Sequence, residues 1–147
     1  MTEQAGDPVG RRLRSLGDRY RGALADVATV TVDDGGCSLE PARDGAVAVS
    51  WADLGDRLVV QVHAPGGGGR FPTPSRSPED VALVHALVDA VVAGRASGLT
   101  ARHHARVELR LATGVVSDTD GAGWPRRVTR TDFRAYRERT PVAARRR

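Results

Sequence analysis

Between Val81 and Ala93 the chain holds only two polar side chains, His85 and Asp89. A helix that is apolar around most of its circumference demands burial on nearly every side, so this stretch governs what the rest can become. Its boundaries are well marked. Ser77 supplies an N-cap, Pro78 suits the first helical position, and Glu79 and Asp80 complement the free N–H groups of the first turn. Gly94 suits the left-handed residue that closes a helix. Just upstream, Leu58, Val60 and Val62 alternate with Val59, Gln61 and His63, which predicts a strand.

The remaining elements are expected to cover that helix. Asp7-Pro8 caps a first helix whose Val9, Leu13, Leu16, Tyr20, Ala23, Leu24 and Val27 recur at intervals of three and four, with arginines opposite. Residues 27–32 (VATVTV) and 46–51 (AVAVSW) predict two strands, the first stopped by Asp33-Asp34-Gly35-Gly36. Ser97 to Ala101 reads as a loop. His103 to Ala112 is the clearest alternating strand, with Val107, Leu109 and Leu111 inward and Arg106, Glu108 and Arg110 outward. Thr113-Gly114 turns it into Val115-Val116. Farther on, Arg126 to Arg130 predicts a strand, and Thr131 or Asp132 caps a short helix carrying Phe133 and Tyr136. The fold class is therefore α+β, an antiparallel sheet of about five strands in the order α-β-β-β-α-β-β, with the two main helices packed on one face. Residues 1–140 make a single domain of a size that supports its own core, and 141–147 a disordered Arg-rich tail.

That order resembles the fold of type III secretion chaperones and related small peptide-binding domains. The stretch RSPEDVALVHALVDAVVAGR followed by ARVELRLATGVV is similar to small uncharacterised proteins of high-GC bacteria, a resemblance that implies no particular activity. All 22 basic residues are arginine, and Lys, Asn and Ile are absent, which fits the codon usage of such a genome. Charge is unevenly distributed. Residues 1–120 hold 13 Arg against 16 Asp and Glu, a net −3, and residues 121–147 hold nine Arg against Asp132 and Glu138, a net +7. The lone Cys37 excludes an internal disulfide and fits a reducing cytoplasm. Residues 1–8 lack an apolar run, which predicts no signal peptide, and no stretch is long enough to span a membrane.

Catalytic motifs are sparse. Pro65 to Arg70 is glycine-rich, yet no Gly-Lys-Ser/Thr follows, and Phe71 stands where GxGxxG needs its last glycine. His85 and Asp89 share one helix face, either as an oriented base or as the single wet edge of a buried helix. His63 and His104 fall on the charged side of their strands and would approach if those strands were neighbours, but a metal needs a third ligand. Acids surround Cys37 in DDGGCSLE and raise its pKa, the reverse of what a reactive thiolate requires. No GxSxG elbow is present.

No cofactor is expected. The leading expectation is a non-enzymatic module that offers its open sheet face or edge to a protein partner, with His63, His104, Arg106, Glu108 and Arg110 as candidate contacts. A second is nucleic-acid binding through Arg126, Arg127, Arg130, Arg134 and Arg137, interleaved with Trp124, Phe133 and Tyr136 as stacking groups. The third is a small-molecule enzyme built on the Gly66–Gly69 loop.

Overall fold

The computed structural model describes residues 7–101, 104–119 and 127–137. Helix α1 (Pro8–Ala23) leads into five strands, β1 (Ala28–Asp33), β2 (Gly36–Pro41), β3 (Ala48–Asp53), β4 (Leu58–His63) and β5 (Gly69–Pro72). Helix α2 (Pro78–Val92) follows, then β6 (Ala96–Ala101), β7 (His104–Leu111), β8 (Gly114–Ser117) and β9 (Thr129–Asp132). The fold is α+β, with antiparallel sheets and helices packed against them. The strands divide into two sheets. β1 to β5 form a meander in chain order, and the second sheet runs β8-β7-β6-β9. The strand count thus exceeds the expected five, because β2, β5 and β6 carry small residues, glycine or proline and give little alternating signal. Residues 97–101, expected as a loop, belong to β6.

Pairing register explains how each sheet finds its two faces. Val30, Leu39, Val49, Val62 and Gly69 stand directly opposite one another across all five strands, and so do Val32, Cys37, Trp51, Val60 and Phe71. These two rows make the apolar face. Between them the row Thr31, Ser38, Ser50, Gln61 and Arg70 lies on the other face. β5 tolerates Pro72 because it is the edge strand.

α1 lies on β1 and β2, and α2 on β3 and β4, so both helices cover the same face. Gly17, an unusual residue in mid-helix, is where α1 comes closest: a Cβ there would stand 3.0 Å from a Val32 methyl. α2 also packs on β7 of the second sheet, burying Val81, Val84, Leu87, Val88, Ala90 and Val91. Its apolar circumference is thereby divided among α1 and two sheets. Gly94 closes it with φ +81°. Among the described residues no helix is long and apolar enough to cross a membrane.

Residues 133–137 do not form the expected helix. They run as an irregular strap beneath the ends of α1, α2 and the β2–β3 connection. Backbone N–H groups of Phe133, Arg134 and Tyr136 donate to the carbonyls of Ala96, Gly45 and Val92, each at 2.9 Å. The Phe133 ring occupies the space a Cβ at Gly98 would need, at 2.8 Å. Tyr136 is 1 % exposed, and its hydroxyl donates to the Val47 carbonyl at 2.7 Å and lies 3.3 Å from that of Leu39. The expected tail beyond residue 140 lies outside the described residues.

Two substitutions test this packing. Leu87→Ala should lower unfolding free energy by about 2–5 kcal/mol, as a truncation in a closed core does. Tyr136→Phe keeps the ring and loses only the hydroxyl, so it should cost about 1–3 kcal/mol through the stranded Val47 carbonyl. Urea denaturation of both variants checks the pair. A Tyr136→Phe loss near zero would mean that the hydroxyl is solvated rather than bonded.

Candidate functional site

The two helices begin side by side, and one arginine joins their starts. Asp7 caps α1 by accepting from the Gly10 N–H at 3.1 Å, and Ser77 caps α2. Arg76, the residue before that second cap, donates to both oxygens of Asp53 through Nε (2.9 and 3.1 Å) and again through Nη2 at 2.8 Å. The same Nη2 lies 2.8 Å from Asp7. The guanidinium beside them holds Asp7 down at about 2 and Asp53 below the ordinary carboxylate range, while Arg76 itself is pushed further up. Asp80 accepts from the hydroxyls of Ser75 and Ser77, both at 2.6 Å, and is lowered for that reason. Thr73 completes the junction by bonding the Leu58 backbone and the Ser75 carbonyl. These carboxylates are committed to structure.

From this junction an open groove of about 630 Å³ runs between α1 and α2. Pro8 and Pro78 stand at one end, Arg19 and His85 at the other. Leu16 and Val81 make an apolar floor, and Arg11, Arg12 and Ser15 form the α1 wall. Among the described residues no carboxylate lines it. Arg12 and Arg19 are exposed and make no ion pair among the described residues. His85 is half-buried with its ring edge-on to Tyr20, centroids 6.0 Å apart. Asp89, its expected companion, reaches instead toward Arg95 at 3.4 Å. Tyr20 is 5 % exposed, its hydroxyl has no hydrogen-bond partner among the described residues, and burial pushes its pKa up.

The other candidate residues fall into three places. His63 lies on the open face of the first sheet, 3.0 Å from the Ser50 hydroxyl, and His104 is on the second sheet, so the two do not share one sheet face. Arg106, Glu108 and Arg110 do share a face of β7, as their spacing requires. Glu108 is gripped by Arg106 and Arg130, each at 3.1 Å. Arg110 donates to the Ser97 hydroxyl at 3.0 Å, and that hydroxyl donates to Asp132 at 2.6 Å. The basic segment is partly engaged as well. Arg130 serves Glu108, and Arg137 makes two contacts of 2.7 and 2.8 Å with Asp26 and one with the Ala23 carbonyl. Arg127 is exposed, and Arg134 lays its stem over Gly45. Arg126, Trp124 and His103 lie outside the described residues.

The glycine run does not connect a strand to a helix. Its residues turn the β4–β5 hairpin, where Gly66 (φ +82°) and Gly67 (φ +144°) adopt conformations that favour glycine. Strand β5 and residues 73–77 separate it from α2, so its N–H groups are not aimed along that helix axis. Cys37 is buried, and burial ahead of neighbouring acids pushes its thiol up to about 11. Among the described residues no group of three or more His, Cys, Asp or Glu side chains could hold a metal. No protein-family model, curated protein or solved structure matches the chain.

The groove was not evident in the sequence. The recurrence of Arg11, Ser15 and Arg19 at spacing four marks one stripe of α1, and that stripe was a usable signal only once α2 was known to lie beside it.

The Arg76 junction predicts an acid response. Carboxylates whose folded pKa is depressed contribute stability that is complete above about pH 4, where they ionise unfolded, and lost as pH falls through their folded values, about 2 for Asp7. Wild type should therefore lose thermal midpoint between pH 4 and pH 2. Arg76→Gln should be less stable at pH 6 and show a smaller drop over that interval, with Asp80 sustaining the remainder. Equal drops in the two proteins would remove Arg76 as the cause.

Proposed function

We propose that this chain is a non-enzymatic interaction module that binds a protein partner through its folded body. The observation that carries this reading is the α1–α2 groove, an open concave surface with an apolar floor and a cationic rim whose Arg12 and Arg19 make no ion pair among the described residues. Protein recognition draws on such a combination, since apolar contact supplies affinity and charge supplies specificity. The outward residues of β7 serve this reading less well. Arg106, Glu108 and Arg110 spend their charge on one another, on Arg130 and on Ser97.

Nucleic-acid binding through the basic segment is the second reading, and Arg127, exposed beside β9, favours it. Two of its five arginines already hold intramolecular carboxylates, which reduces the charge free to displace counterions from phosphate. A single cysteine in the sequence accords with a cytoplasmic setting.

The two readings separate in a capture experiment on native-cell extract, with and without nuclease treatment, at physiological salt. Three baits are compared: wild type, Arg12→Glu/Arg19→Glu, and Arg126→Ser/Arg127→Ser. The body reading expects the same protein bands with wild type and the tail variant, and their loss with the groove variant. Duplex DNA should bind weakly at low salt and dissociate near 0.15 M, where screening acts over about 8 Å. Capture that vanishes on nuclease treatment, or DNA binding that persists at 0.15 M and falls with the tail variant, would favour the second reading.

A further inference from the structure

We infer that the α1–α2 groove receives an acidic amphipathic helix of a protein partner, laid along the groove with its carboxylates against the Arg12 and Arg19 rim. This rests on the interaction-module reading and specifies the chemistry of its partner. Three observations lead there. The first is charge complementarity. Arg11 and Arg12 stand along the α1 wall and Arg19 at the His85 end, no acid among the described residues lines the groove, and Asp7, at the start of α1, is turned onto Arg76. The second is the floor. Exposed Pro8, Pro78 and Ala82 line it above the buried Leu16 and Val81, so a purely charged ligand would leave apolar surface unmatched. A helix with one apolar stripe and one acidic edge satisfies both surfaces at once. The third is length. Pro8 to Arg19 spans about 16 Å of helix axis, which is about three turns of a partner helix.

The basic rim also reads against a nucleic-acid strand. Stacking platforms for bases are aromatic, and among the described residues the only aromatic side chain lining this groove is His85, whose edge-on contact is with Tyr20. An acidic peptide needs no such platform.

The test uses four probes against the full chain at 0.15 M salt, read by fluorescence anisotropy and by amide shifts. They are an 18-residue designed helix with leucines on one face and glutamates on its flanks, the same helix with lysines for glutamates, an 18-residue polyglutamate, and a single-stranded oligonucleotide. The acidic helix should bind one-to-one, shifting the amides of Ser15, Ala82 and His85. The other three should bind about tenfold or more weakly. Arg12→Glu/Arg19→Glu should weaken the acidic helix by about tenfold or more, and Arg12→Gln/Arg19→Gln by less, with unchanged thermal midpoints. Polyglutamate or oligonucleotide binding as tight as that of the acidic helix would overturn the proposal, and so would acidic-helix affinity unaffected by both double variants. Failure of this probe together with retained, groove-dependent capture from extract would sink the helix chemistry alone. Loss of groove dependence in both experiments would sink the module reading too.

Discussion

Burial of α2 is the constraint on which the rest of the structure depends. Thirteen consecutive residues with two polar members cannot be served by a single sheet face, which covers roughly half of a helix. The chain meets this with three neighbours. The five-stranded meander takes one side, β7 of the second sheet another, and α1 lies alongside. Val84, Val88, Ala90 and Val91 are completely buried as a result. His85 and Asp89 are only partly covered, with Ala82 and Ala86 exposed beside them, and so the groove borders His85.

The second sheet needs its own attachment, because β6 and β9 carry few large apolar side chains toward α2. The strap at 133–137 supplies it. Phe133 fills the space above Gly98, Tyr136 reaches the carbonyls of Val47 and Leu39, and Arg137 closes on Asp26 beside the end of α1. One short segment thus joins β6, the C-terminal end of α2, the β2–β3 connection and α1. At the opposite end Arg76 does related work for the helix starts through Asp7 and Asp53. The groove is therefore defined by two helices each fixed at its start by a hydrogen-bonded cap, a rigid frame for a binding surface.

Legibility in the sequence followed the size of the side chains. α1, α2, β4 and β7 declared themselves through large apolar residues at regular intervals, and their caps and turns agreed with the dihedral demands of Ser77, Pro78 and Gly94. β2, β5 and β6 were hidden because GCSLEP, GRFP and ASGLTA substitute glycine, serine and proline where strands normally show branched side chains. Several of those small residues have tertiary reasons: Gly69 admits Val107 and Gly98 admits Phe133. Phe133 and Tyr136 sit three apart, a spacing that mimics a helix although the strap is irregular. The arginines at the groove could be placed on the polar side of α1, but their shared surface with α2 depends on which helices become neighbours. No local pattern encodes that.

Native-state hydrogen exchange followed residue by residue tests the central claim, that α2 is enclosed by both sheets and that the strap secures the second. The amides of Val84 to Val91, those of β4 and β7, and the strap amides of Phe133 and Tyr136 should exchange only through one global opening with a single free energy. Exchange of β7 and the strap at markedly lower free energy, while β4 and α2 remain protected, would contradict it. In that case α2 would be held by the first sheet alone.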